Sequence, residues 1–260
     1  MLPDALFLNV HMYGIMIAVG LLFAFLVLFL YGKKKKIDEK LIDFIFYDGI
    51  ISILLGFAAA TLFQSVYNYL EHPERGFHLG GMTFIGGLVG GAAVFLGVYF
   101  LTAGNFRKNI PGTLSDVLPI LPCCITVAHG FGRIGCFFAG CCYGKETDCF
   151  LGIKFPNLPN PVHPTQLYEA AFLFLLFGLL SYLVLKKNFQ HTLGLYLIAY
   201  GVFRFAIEFI RGDDRGKFIG ALSPSQFWSI FMIAIGVFLI FALPRIMTAW
   251  AGKKKNDGEK

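Results

Sequence analysis

Arg204 and Glu208 stand four residues apart in an apolar run, Tyr200-Gly-Val-Phe-Arg204-Phe-Ala-Ile-Glu208-Phe-Ile-Arg211. On a helix this spacing puts both on one face, with Tyr200 one turn earlier. Charge at membrane depth is costly and marks function by default. The pair reads two ways, as a neutralised lock between helices or as a guanidinium held ready for an anion, and spacing alone does not choose. A second guanidinium, Arg133, lies in Gly130-Phe-Gly132-Arg133-Ile-Gly135-Cys136. Glycines let a backbone approach a ligand or another helix closely. The planar fork of arginine donors suits a phosphate. The structural alternative is an arginine that snorkels to lipid headgroups. Two such arginines, each in an aromatic setting, favour phosphate recognition over either taken singly.

Other reactive side chains fall at the edges of apolar segments. His11 precedes Met12-Tyr13-Gly14, and His163 opens His163-Pro164-Thr165-Gln166-Leu167-Tyr168-Glu169. An imidazole with an ordinary pKa of about 6.5 makes either one a candidate proton acceptor. His129 reads instead as a hydrogen-bonded structural residue. Glu169 sits inside an apolar run and needs a partner. The pairs Gly86/Gly90 and Gly87/Gly91 have the small-xxx-small spacing that lets helices touch. Of the six cysteines, Cys136, Cys141, Cys142 and Cys149 cluster in one stretch. Their spacing lacks the two separated pairs of a zinc site, so no metal is expected. Inert thiols, a disulfide in an oxidising compartment or a reactive thiol all remain open.

These residues must be positioned by membrane helices. The chain has 260 residues, 57% of them hydrophobic and 15% charged, with a mean hydropathy of +0.68. A soluble protein uses about 25% charged residues, so there is too little charge here for a water-facing surface. A soluble enzyme, a disordered chain and a disulfide-framed secreted domain are excluded on that ground. The net charge of +6 does not point to nucleic acid, because the basic residues sit in short runs between apolar segments. Ala5–Tyr31 runs into Lys33–Lys36 without a basic leader or cleavage site, so it reads as a retained span. A spanning helix needs about 20 apolar residues. The pattern predicts an all-α, polytopic bundle with seven spans, near 11–31, 44–66, 83–102, 116–130, 165–185, 193–211 and 222–243. The outer loop segment is 131–164, and residues 1–260 form a single integral membrane domain. Most of the 22 Lys and Arg fall in the loops on the C-terminal side, which predicts an outside N-terminus and a cytoplasmic C-terminus.

Taken together, these stretches resemble the bacterial prolipoprotein diacylglyceryl transferase family over nearly the whole chain. The resemblance rests on His11-Met-Tyr13-Gly14, Tyr67-Asn68, Gly80-Gly81-Met82-Thr83-Phe84, Gly132-Arg133-Ile-Gly135 and Tyr143-Gly144. It continues with His163-Pro-Thr-Gln-Leu-Tyr168-Glu169, Tyr200-Gly-Val-Phe-Arg204-x-x-x-Glu208-Phe and Leu222-Ser-Pro-Ser-Gln226, in the family's order. The resemblance implies transfer of a diacylglyceryl group from phosphatidylglycerol to the lipobox cysteine of a prolipoprotein, with glycerol phosphate leaving. It implies a multi-pass protein of the bacterial cytoplasmic (inner) membrane, with membrane lipid and a prolipoprotein signal peptide as partners and no cofactor. By the same resemblance, Arg133 and Arg204 would hold the leaving phosphate, Glu208 would orient Arg204, and Tyr13 and Tyr200 would donate hydrogen bonds. Gly135, Cys136, Gly144 and His11 would line the substrate site.

The chain also departs from the family pattern. Ile85 stands where the family has the His that is a leading candidate for the thiol's base. Cys136 replaces an Asn, Cys141 a Glu, and Ala60 falls near an expected Arg. His163 and His11 are the available replacements for the base. Two other readings stay open: a divergent paralogue that uses the same lipid with another acceptor or a thiol of its own, and a non-catalytic phospholipid-binding membrane protein.

Overall fold

Long apolar runs ended by lysines, prolines and polar turns set the limits of the helices. The computed structural model describes residues 11–102, 109–212 and 222–242. Among them are eight α-helices: α1 (Met12–Lys34), α2 (Glu39–Glu71), α3 (Phe84–Leu101), the single turn α4 (Leu114–Val117), α5 (Leu121–Phe138), α6 (Thr165–Lys187), α7 (Thr192–Ile207) and α8 (Pro224–Val237). The last continues as a π-type turn, Phe238–Ala242. In and beside the 144–162 loop, isolated β-bridges pair Gly144 with Arg211 and Val162 with both Glu146 and Ile153, and the described residues form no longer strand. The protein is therefore an all-α, polytopic membrane bundle. Five of its helices are long and apolar enough to cross a bilayer, and α7 and residues 86–101 of α3 are shorter apolar helices. Leu22 is 69% exposed and Leu175 76%, a placement that lipid rewards and water does not.

The chain divides into two compact units, residues 36–114 in one and residues 1–35 with 115–260 in the other. In the smaller unit α2 and α3 form a hairpin in contact through small residues. A Cβ on Gly90 would stand 2.4 Å from the Ala59 Cβ, and one on Gly86 2.7 Å from the Phe63 Cβ. The return to α3 is strapped onto the end of α2. Gly80 N–H donates to Ser65 Oγ at 3.2 Å, Thr83 N–H to the Ala60 carbonyl at 3.2 Å, and the Thr83 hydroxyl to Gln64. The side chain of Ile85 lies outside the described residues. So do Arg107, Lys108 and every basic residue after 242, part of the charge on which the expected orientation rests.

In the larger unit α5 packs against α1 and α6, and α7 against α8. Several boundaries differ from the sequence expectation. The fourth span, expected at 116–130, becomes α4 followed by α5, and α5 continues through Gly132-Arg133-Ile-Gly135. That motif was placed at the start of the outer loop 131–164. The cause is proline: a ring cannot occupy a helix interior but fits the first turn, where no N–H partner is lost. Pro119 therefore falls between the two helices and Pro122 in the first turn of α5. Arg133 then projects from a rigid helix rather than from a loop. The sixth span also ends before its expected limit, α7 stopping at Ile207, and the Glu208 side chain meets Ser223 at the start of α8.

Crowding at the α2–α3 contact predicts a cost for added volume. Gly90→Val should destabilise the protein by about 1–3 kcal/mol, while Gly97→Val, where the added Cβ meets nothing within 4 Å, should change little. Thermal unfolding in detergent, followed on both variants, checks this.

Candidate active site: a buried arginine–glutamate network

Three helices of the larger unit bring ionised groups to one carboxylate. Glu169, one turn into α6, is 1% exposed. Its Oε1 lies 2.9 Å from Arg133 Nη2 on α5 and accepts the Tyr200 hydroxyl on α7 at 2.6 Å. His129, one turn before Arg133, has its Nε2 at 3.8 Å from the same oxygen and its ring edge-on to Tyr200. Arg204, one turn after Tyr200, is also within electrostatic reach of Glu169. The two arginines therefore share one neighbourhood, anchored from α5, α6 and α7.

Arg204 has partners of its own. Its Nη2 is 3.0 Å from Glu208 Oε2 and donates to Ser225 Oγ at 2.8 Å. Glu208 accepts the Ser223 hydroxyl at 2.8 Å, and Arg211 Nε lies 3.9 Å away. Ser223 is also the N-cap of α8, in a capping box with Gln226. The start of α8 is thus tied to the end of α7 by the groups that hold Arg204. Each guanidinium keeps a buried nitrogen with no hydrogen-bond partner among the described residues, Nε on Arg133 and Nη1 on Arg204. Buried donors are rarely left so. An oxyanion is the acceptor that would complete both.

The remaining candidates lie around this network. Tyr13 is 41% exposed on α1. Its ring packs where a Cβ on Gly135 would be, within electrostatic reach of Arg133 and of Cys136, Cys141 and Cys142. Gly135 thus gives α1 its close approach to α5. The Tyr200 hydroxyl is engaged by Glu169. His163 Nδ1 faces the Tyr168 hydroxyl at 3.2 Å rather than either guanidinium, and its backbone pairs with Gly144 and Lys145. Gly144 is enclosed, since an added Cβ would meet His163 Cβ, the Ile210 carbonyl and Thr165 Cγ2 at 2.8–2.9 Å. It forms a bridge with Arg211 that ties the loop to the end of α7. His11 stands exposed at the N-terminus of α1.

The sulfur atoms of Cys136, Cys141 and Cys142 all lie within 4.8 Å of one another. All six cysteines, each among the described residues, are free thiols. Hydrogen bonds from Cys136 and Cys141 hold the Cys142 thiol well below the ordinary thiol range, and Arg211 acts in the same direction. The same hydrogen bonding pushes Cys141 the other way. Sequence reasoning marked Glu169 as needing a partner but left it out of the site. It missed Ser223, Ser225 and Arg211 as supports. The available signal was Ser223-Pro-Ser225-Gln226, a helix start that places two hydroxyls where α7 ends.

A family model described as prolipoprotein diacylglyceryl transferase matches residues 3–242. The chain is 38% identical over 239 residues to the phosphatidylglycerol–prolipoprotein diacylglyceryl transferase of Clostridium tetani, covering 89% of this chain and 92% of that protein. It is 33% identical over 264 residues to phosphatidylglycerol–prolipoprotein diacylglyceryl transferase 2 of Clostridium perfringens, covering 97% and 96%. A transferase of the same name from Stenotrophomonas maltophilia is 31% identical over 274 residues, covering 90% and 88%.

Removing one member of a buried ion pair leaves an uncompensated charge and costs about 3–5 kcal/mol. Glu169→Ala should therefore lower the unfolding temperature more than the double variant Arg133→Met with Glu169→Leu. A thermal double-mutant cycle in detergent measures the difference.

Proposed function

The chain belongs to the prolipoprotein diacylglyceryl transferase family, and on that premise we propose that Arg133 and Arg204 bind the phosphodiester of phosphatidylglycerol and draw off its glycerol phosphate. The protein is a multi-pass membrane transferase that moves a diacylglyceryl group from phosphatidylglycerol to a prolipoprotein. The acceptor atom is the sulfur of the lipobox cysteine, and the membrane is the bacterial cytoplasmic one, with the N-terminus outside.

The reaction is a displacement at carbon. The acceptor sulfur bonds to the glyceryl carbon, the carbon–oxygen bond breaks, and its electron pair leaves on the phosphate. Negative charge grows on that phosphate, and fixed cations in a water-poor site stabilise it most. The observation that carries this reading is the pair of buried guanidiniums, Arg133 paired with Glu169 and Arg204 with Glu208, each with a nitrogen that has no acceptor among the described residues. Glu169 and Tyr200 hold Arg133 in place, while Glu208, Ser223 and Ser225 hold Arg204. Neither guanidinium has to reorganise when the lipid arrives. Tyr13 and Cys136 border the same site beside Arg133. Gly144 and His163 pair in the loop that is tied to Arg211 at the end of α7, and His11 marks the start of α1.

Purified protein, phosphatidylglycerol vesicles and a lipobox peptide test the proposal. The expected outcome is a diacylglyceryl mass gain on the peptide's cysteine. Arg133→Ala and Arg204→Ala should each lower the rate by about 100-fold or more, the scale of losing a fixed charge-stabilising donor. Arg133→Lys should recover little, since a point charge does not replace the fork. Undiminished transfer by both alanine variants would reject the phosphate site.

A further inference from the structure

We propose that Cys136, Cys141 and Cys142 form a three-thiolate site for a borderline-soft divalent cation, Zn2+ above all, with a fourth position open to an incoming thiol. Cys136 lies in the last turn of α5, and the other two lie in the turn that follows. Their mutual sulfur separations of at most 4.8 Å are near the edge of about 3.8 Å that a tetrahedron of zinc–sulfur bonds of about 2.3 Å requires. Small side-chain rotations close the difference.

The backbone is built to hold this grouping. Gly140 turns the chain at φ +69 and Cys142 adopts φ 64, a left-handed conformation that a side chain rarely takes and that has to be held from outside. It is held here by α6, where the Thr165 hydroxyl donates to the Cys142 carbonyl at 2.8 Å and the Gln166 amide donates to that of Cys141. Gly144 N–H, on the next turn, donates to the His163 carbonyl at 2.8 Å. Supports of this kind orient metal ligands. Three thiolates and a divalent cation leave one negative charge, and Arg211 stands beside Cys142 to offset it. No other His, Cys, Asp or Glu among the described residues joins the group. Three protein ligands with an exchangeable fourth position is the arrangement of reactive zinc sites rather than structural ones.

This inference rests on the transferase reading for the identity of the fourth ligand. A thiol that binds a divalent cation is deprotonated outright. The acceptor cysteine would form a sulfur–metal bond and release its proton to solvent. Its sulfur would then attack the glyceryl carbon as the bond to phosphate oxygen breaks. That supplies a nucleophile without a dedicated base.

Metal content of the full-length protein, purified in detergent without chelator and supplied with Zn2+, tests the site. About one Zn2+ per chain is expected, with three thiols shielded from an alkylating reagent until a chelator is added. Loading with Co2+ should give thiolate-to-cobalt charge-transfer absorption. Cys141→Ser and Cys142→Ser should each lower retained Zn2+ by about 10-fold or more, while Cys149→Ser, outside the cluster, should retain it. Protein that holds no Zn2+, or whose triad is found as a disulfide two mass units lighter, overturns the proposal. Metal content is read without lipid. Bound zinc with no transfer therefore counts against the transferase reading alone, and equal transfer by loaded and stripped protein counts against thiol activation.

Discussion

A single carboxylate organises the polar interior of this protein. Glu169 takes a guanidinium from α5 and a phenol from α7, with an imidazole and a second guanidinium close by. Ionised groups away from water are tolerated only when paired and hydrogen-bonded. The mutual need of these groups therefore fixes how α5, α6 and α7 meet. Helix packing in lipid lacks a hydrophobic drive, so a network of this kind decides register as well as charge. The Phe172–Phe203 stack, with centroids 4.1 Å apart, fits the register that the network sets between α6 and α7.

On the proposed reading, the same pairing prepares the arginines for chemistry. A free arginine in a membrane protein would snorkel or collapse onto a lipid phosphate. Arg133 and Arg204 are each held by a carboxylate, yet each still has a donor without an acceptor among the described residues. Cations held in place ahead of an anion need no reorganisation when it arrives. The cost is carried by the fold: every supporting side chain must sit close to its mark, which explains why supports come from caps and helix ends. Ser223 serves at once as the cap of α8 and as a donor to Glu208.

Much of this was legible in the residues. The apolar runs gave the long helices, because length and hydropathy are local properties of a chain. The i,i+4 spacing of Arg204 and Glu208 gave their pairing, and the glycine pairs of the third span gave the α2–α3 contact. The extension of α5 through Arg133 was not legible, because Gly132 and Gly135 read as loop while the prolines that set its start lay upstream. Nor was the meeting of Arg133 with Glu169, which joins two helices separated by the whole 139–164 loop. The cysteine grouping was hidden for a related reason. Cys136 and Cys141 look irregularly spaced along the chain, and the left-handed positions at Gly140 and Cys142 accompany the turn that brings the three sulfurs together.

The shortness of α7 has a consequence for the surrounding membrane. Its 16 residues rise about 24 Å, less than the hydrocarbon thickness of about 30 Å. Beyond it come Glu208, Arg211 and Ser223, which need a polar setting. Acyl chains beside this helix must therefore thin, or the headgroup layer must dip to meet the turn. On the proposed reading, either adjustment shortens the distance a phospholipid has to sink from its resting depth before its phosphate is level with Arg204.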